Sequence, residues 1–199
     1  MNKNTSGSRG GMSTRTLAGV AIFTAIVVIL QFIGSAIRLG PFSVSLVLVP
    51  IVIGAALYGI EAGAWLGFVF GVVVLLSGDA AAFLAVNAPG TIITCTVKGM
   101  AAGLLSGSVY ALLSHKSDTL GVVSAAIAAP VCNTGVFLLF CRVFFMDTIN
   151  AWAHGAGIEN AGVYMLTAFV GVNFLLELVI NIILAPVIVR LIRTARNIH

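Results

Sequence analysis

Lys98, Arg142 and Glu177 stand inside long apolar runs of a chain in which only 8% of residues are charged. A charged side chain at mid-bilayer costs roughly 2.5–3.5 kcal/mol even on insertion-based scales, so such residues face a polar cavity or pair with one another. They are the first candidates for ligand contact. Other polar groups fall into register with two of them. Asn173, Glu177 and Asn181 are spaced four apart and form a stripe on one helical face, and Thr91, Thr94 and Lys98 share a face in the same way. Glu177 lies about 14 residues, or roughly 21 Å, into its run, deeper than a snorkelling side chain reaches. The competing reading of its stripe is an interhelical hydrogen-bond network. For Lys98 three readings stand open: a ligand contact, an ion pair with Glu177, or a stem that snorkels to the headgroups.

Asn133 and Arg142 are nine residues apart, on opposite faces of an ideal helix at about 100° per residue. Asn133, near Pro130, is the deeper of the two. Arg142 sits within a turn of the end of its run beside Phe140, Phe144 and Phe145, where it reads equally as a ligand contact or an interface anchor. The expected substrate-binding set is therefore Lys98, Asn133, Asn173, Glu177, Arg142 and Thr94.

Binding is the chemistry these groups suit. The sequence has no GxxxxGK[ST] phosphate loop, HExxH, GxSxG or paired carboxylates. Cys95, Cys132 and Cys141 lie in apolar runs without metal-ligand spacing, and His115, His154 and His199 lie in loops or at the terminus. No catalytic residue, metal or cofactor is expected, and any ATP dependence has to come from partner subunits. Two related halves, frequent in secondary transporters, are not evident. Two competing classes are an autonomous small-solute carrier or channel, and an intramembrane enzyme that uses Glu177.

The elements that must position these residues follow from hydropathy. With 60% hydrophobic residues and a mean hydropathy of +1.14, the chain reads as an integral, all-α membrane protein. Runs of roughly 20 apolar residues, enough for about 30 Å of hydrocarbon, predict six transmembrane helices at 15–36, 43–59, 62–78, 91–114, 119–145 and 163–192. They make one substrate-binding domain over 15–194, with a disordered tail at 1–14 and a short tail at 195–199. Lys3, Arg9, Arg15, Lys116, Arg190, Arg193 and Arg196 then share one side. Arg38, Asp79, Asp147 and Glu159 take the other, so the positive-inside rule places both termini in the cytoplasm. The pI near 9.3 thus reflects topology and requires no nucleic-acid partner. A signal peptide ending near Gly34, Ser35 and Ala36 is rejected, because the run exceeds an h-region and its removal spoils the charge asymmetry.

Glycines recur every four residues at Gly63, Gly67 and Gly71 and at Gly99, Gly103 and Gly107, marking close helix packing. Ala18, Ala21 and Ala25 form a small-residue face on the first span, open to an internal neighbour or an external subunit. Pro50, Pro130 and Pro186 predict kinks. The loops 37–42, 79–90 and 146–162 carry Pro41, Phe42, Asn87, Pro89, Gly90, Trp152 and His154, which suit turns or a closure over a pocket. Asp79 and Asp147, which open two of these loops, read as helix-end or loop structure.

Taken together, the six spans, the Ala21-xxx-Ala25 unit, the block GPFSVSLVLVPIVIGAALYG from Gly40 to Gly59 and AGAWLGFVFG from Ala62 to Gly71 carry a resemblance. The chain resembles the substrate-binding S components of energy-coupling factor vitamin transporters, in the riboflavin, folate and pantothenate-like group of the prokaryotic cell membrane. The resemblance implies that Ala21 and Ala25 dock on a transmembrane coupling subunit, itself joined to two ATPase subunits. It implies a pocket near the outer side, built from the last three helices and external loops, where Lys98, Asn133, Asn173 and Glu177 fall. It also implies capture of a water-soluble vitamin from outside, followed by tipping of the helical body in the membrane. The positive charge of Lys98 and Arg142 favours an anionic vitamin such as pantothenate, with riboflavin or another vitamin as the alternative.

Overall fold

A computed structural model describes residues 13–36, 38–39, 42–43 and 46–197, and the side chains within them except those at 38–39, 42–43, 170, 172–173 and 195–197. The predicted tail at 1–14 lies, apart from Ser13 and Thr14, outside the described residues.

The described chain is helical apart from one two-residue antiparallel ladder. Helix α1 (Thr14–Ala36) is followed by strands β1 (Arg38–Leu39) and β2 (Phe42–Ser43), paired Arg38 to Ser43 and Leu39 to Phe42. Then come α2 (Leu48–Tyr58), α3 (Ile60–Leu76), a single turn α4 (Ala81–Leu84), and the long helices α5 (Ala88–Ser114) and α6 (Asp118–Phe144). The chain closes with α7 (Met146–Gly155), α8 (Ala161–Tyr164), a π-helical segment Met165–Val170, and α9 (Gly171–Asn197).

Four of the six predicted spans, the first, third, fourth and fifth, agree with helices to within three residues, and the sixth corresponds to α8, the π segment and α9, which run five residues past its expected end at 192. The second does not agree, because Phe42 and Ser43 belong to the ladder and α2 starts only at Leu48. Its 11 residues rise about 16 Å, roughly half a hydrocarbon core. Four stretches are long and apolar enough to cross a membrane: Thr14–Ala36, Ala88–Ser114, Asp118–Phe144 and Ala161–Thr194. The segments 79–90 and 146–162, expected as loops, carry α4 and α7. At the carboxyl end the backbone stays helical through Asn197, past the expected boundary at 194.

Helix α2 is apolar all round, and its position matches. Leu48, Pro50, Ile51, Val52, Ile53, Gly54 and Ala55 are buried, and the helix touches α1, α3, α5, α6 and α9. A helix hydrophobic on every face belongs inside a bundle. Pro50 occupies its first turn, where a missing N–H leaves no intrahelical bond unmade, so no kink is required there. Helices α6 and α9 continue through Pro130 and Pro186. The turn from α2 into α3 passes through Gly59 at φ +97°, a left-handed conformation that favours glycine.

The α3–α5 seam is closed by glycine against backbone. A Cβ at Gly67 would overlap the carbonyl of Gly99, one at Gly71 the carbonyl of Cys95, and one at Gly103 the carbonyl of Gly63. Both glycine rows thus serve one contact, the close approach that small-xxx-small faces allow in lipid. Around it, Val27, Leu48, Ile51, Leu66, Phe70, Val122, Ala125 and Ile188 form the main core. A second, aromatic cluster gathers Phe83, Phe145, Phe169 and Ile149 at the other end of α6. The outer surface stays apolar, with Leu76, Leu112, Leu139 and Ile183 each more than half exposed, as lipid contact requires.

Candidate functional site

Between these two clusters lies a partly open cavity of about 80 Å³, lined from α1, α3, α5, α6 and α9. Helix α5 supplies one wall. Its start is fixed by Asn87, whose side chain accepts from the Gly90 N–H at 3.0 Å, with Pro89 in the first turn. That cap makes Asn87, Pro89 and Gly90 helix-start residues. It also sets Thr91, Thr94 and Lys98 in line along the cavity.

The threonine hydroxyls are already spent as donors. Thr91 Oγ1 donates to the Asn87 carbonyl and Thr94 Oγ1 to the Gly90 carbonyl, both at 2.7 Å. Their remaining lone pairs are what they offer as acceptors. Lys98 Nζ lies 5.6 Å from the Phe70 ring centroid and 5.3 Å from that of Phe137. Contacts of that length hold an ammonium by cation–π attraction. Among the described lining residues Lys98 is the only basic one.

The facing wall comes from α6 and α9. Asn133 is buried and its Oδ1 has no hydrogen-bond partner, an expensive condition for an amide oxygen. Glu177 is 3% exposed and lines the same cavity. One turn on, Asn181 Nδ2 donates to the Glu177 carbonyl at 2.8 Å, so the lower part of that polar stripe is structural. Asn173 falls on the described backbone of α9, but its side chain lies outside the described residues. The π segment directly precedes α9, so the helical register shifts just before the stripe begins.

Arg142 is not part of this cavity. It is exposed and lines a separate, wider cleft with Asn150, Glu159 and Met165. The helical geometry that separates it from Asn133 explains the split. Ala18, Ala21 and Ala25 are likewise exposed, on the outer side of α1.

Among the lining residues without a functional assignment in the sequence are Gln31, Asp79 and Thr134. Gln31 of α1 is 1% exposed, and its Nε2 donates to Asp79 Oδ2 at 2.6 Å. Asp79 lines the cavity too. The signal for Gln31 was its amide, the only glutamine of the chain, placed well inside an apolar run. Asp79 gave none, because its neighbours read as a loop. The segments 79–90 and 146–162, expected as turns or a closure over a pocket, meet through aromatic rings. Phe83 packs edge-on against Phe145 at 5.0 Å, Trp152 at 5.3 Å and Phe137 at 5.7 Å, drawing α4, α6 and α7 together over the cavity.

The described lining therefore combines one ammonium, two carboxylates, several acceptor oxygens and aromatic walls. Among the described residues no group of three His, Cys, Asp or Glu could hold a metal ion. Such a site can bind and orient a small polar molecule bearing several O–H or N–H donors.

Comparison with known proteins agrees with a binding role. The profile described as ECF transporter, substrate-specific component, matches residues 15–189. The pantothenic acid transporter PanT of Lactococcus lactis subsp. cremoris (strain MG1363) is 29% identical over 198 residues, covering 91% of this chain and 95% of the relative. The solved structure of ThiT from Listeria monocytogenes superposes with a TM-score of 0.60 at 23% identity, over 88% of this chain and 97% of that one, and so shares the fold. The chain belongs to the family of substrate-specific components of ECF transporters.

Proposed function

We propose that residues 15–194 form the vitamin-binding subunit of an ECF importer and that its substrate is pantothenate, held in the central cavity. The observation that carries the reading is the pairing of a single ammonium, Lys98, with an acceptor-rich lining. Pantothenate has one carboxylate for Lys98 to bind, two hydroxyls and one amide N–H to donate, and a dimethyl group to pack on aromatic rings. Thr91, Thr94, Asn133, Asn173 and Glu177 are the proposed acceptors and donors. The resemblance to PanT, whose name carries the same vitamin, supports the choice.

Six membrane passes with both termini in the cytoplasm fit the cation distribution. In that orientation the cavity opens to the outside, and the helical body tips to deliver the vitamin inward. The energy comes from two partner ATPases through a coupling membrane subunit, which docks on Ala18, Ala21 and Ala25. Ala21→Leu leaves vitamin binding intact and abolishes uptake in cells that carry the complete importer; normal uptake by that variant removes the docking assignment.

A second reading has its own support. Asp79 and Glu177 outnumber Lys98, so an organic cation is the competing ligand class. Calorimetry on the purified protein, without nucleotide, against a panel containing pantothenate, riboflavin and a cationic vitamin separates the two. Pantothenate is expected to bind at one site per chain. Preference for the cation replaces the substrate, and silence across the panel removes the binding role. Accumulation of solute by liposomes that hold this chain alone points instead to an autonomous carrier.

A further inference from the structure

The cavity contains a second orphaned amide oxygen. Gln31 Oε1 is buried without a hydrogen-bond partner, as Asn133 Oδ1 is, and both residues line the same space. The Gln31 amide nitrogen donates to Asp79 Oδ2, 2.6 Å away, and the oxygen is the end left over. Leaving a buried acceptor unmatched is costly, and a protein that binds small polar molecules recovers that cost when a ligand supplies the donor.

Gln31 also comes from an unexpected element. It is six residues beyond Ala25 and ten beyond Ala21, so at about 100° per residue it lies roughly 120° from the first and about 80° from the second around the helix. The burial pattern agrees: both alanines are exposed, while Gln31 is enclosed beside Val27 and Gly34 on the inner side of α1. The helix with the small outer face thus puts one polar group into the cavity.

We infer that Gln31 is a substrate contact that determines specificity: its Oε1 accepts a hydrogen bond from a ligand hydroxyl, and Asp79 is the positioning residue that turns that oxygen away from itself. The inference rests on the reading of the cavity as a pantothenate site. It assigns to α1 a share of ligand recognition.

The test is calorimetry on the full-length chain with pantothenate and two analogues, each lacking one hydroxyl. Wild-type protein loses roughly tenfold in affinity when the hydroxyl that meets Gln31 is removed. Gln31→Met loses about as much for pantothenate itself, and is indifferent, within about twofold, to that one hydroxyl while still discriminating the other. A merely structural role lowers affinity for all three ligands alike, and that result overturns the inference. So does a Gln31→Met protein that binds pantothenate as wild type does. Should Gln31→Met not fold, Gln31→Asn withdraws the oxygen by one methylene, and the same selective loss is read on it. Wild-type protein that binds no pantothenate overturns the substrate reading and this inference together. Tight wild-type binding with unchanged discrimination in the variants overturns this inference alone.

Discussion

The seam between α3 and α5 and the space between α5, α6 and α9 are built on opposite rules. Along the seam, Gly63, Gly67, Gly99 and Gly103 remove every side chain and bring backbone against backbone. Across the cavity, the described parts of α6 and α9 present Asn133, Phe137, Phe174 and Glu177, and a π segment displaces the register of the last helix as it enters. Helix α5 belongs to both regions. Its glycine face is locked, and its Thr91, Thr94 and Lys98 face is held out over empty space. The difference sets Thr91, Thr94 and Lys98 on a helix held by close backbone packing, facing Asn133 and Glu177 on helices packed through side chains.

Breaking the seam gives the largest effect. A side chain at Gly67 meets the Gly99 carbonyl, and overpacking of this kind costs typically 1–3 kcal/mol, with more expected where only backbone can yield. Gly67→Leu should abolish recovery of monodisperse folded protein in size-exclusion chromatography. The contrasting change is Gly135→Ala on α6, where no neighbour lies within 4 Å of the added carbon. Its thermal midpoint should match wild type, within about 0.5 kcal/mol of stability. Equal tolerance of both changes would contradict the backbone-to-backbone packing of the seam.

Changes on the cavity side should spare the fold and affect the ligand. Lys98→Met keeps a flexible stem between Phe70 and Phe137 while removing the charge. Loss of a charge-assisted hydrogen bond of roughly 1.5–3 kcal/mol predicts about 10- to 150-fold weaker pantothenate binding by calorimetry. Asn133→Leu separates stability from affinity. Replacing an orphaned buried amide by an apolar group of similar size leaves the unliganded melting temperature unchanged or raised. Binding weakens by roughly two- to tenfold, about one neutral hydrogen bond. Arg142→Gln, in the separate cleft, is the smallest perturbation, with less than a twofold change in affinity; a larger loss would bring that cleft into the ligand path.

How much of this was legible in the sequence varies by the kind of force involved. Four long apolar stretches followed from hydropathy, because a run of roughly 20 apolar residues is what about 30 Å of hydrocarbon demands. Helix α2 was drawn too long because an apolar run continues through a β ladder, and periodicity cannot separate the two. The glycine rows announced close packing, and the structure supplies what spacing leaves open, that each row is the other's partner. Thr91, Thr94 and Lys98 were grouped by helical geometry alone, and they share one wall. Glu177 and Asn181 were grouped the same way, yet the Asn181 amide turns back to the Glu177 carbonyl, because a helix offers a side-chain donor its own backbone. The cavity contact of Gln31, the partner of Asp79 and the ring contacts of Phe83 were not legible, for one reason. Each acquires its role from partners 48 or more residues away, as between Gln31 and Asp79, or on other elements, and local pattern carries no record of such pairings.

The central claim is that the cavity under Phe83, with Lys98 on its rigid wall, is where the ligand sits. An experimental structure of the protein bound to pantothenate tests this most directly. The account predicts the ligand carboxylate within hydrogen-bond distance of Lys98 Nζ and a ligand donor on Asn133 Oδ1, with the α3–α5 seam unmoved. Pantothenate seated in the Arg142 cleft, or in the cavity with its carboxylate turned away from Lys98, would contradict it.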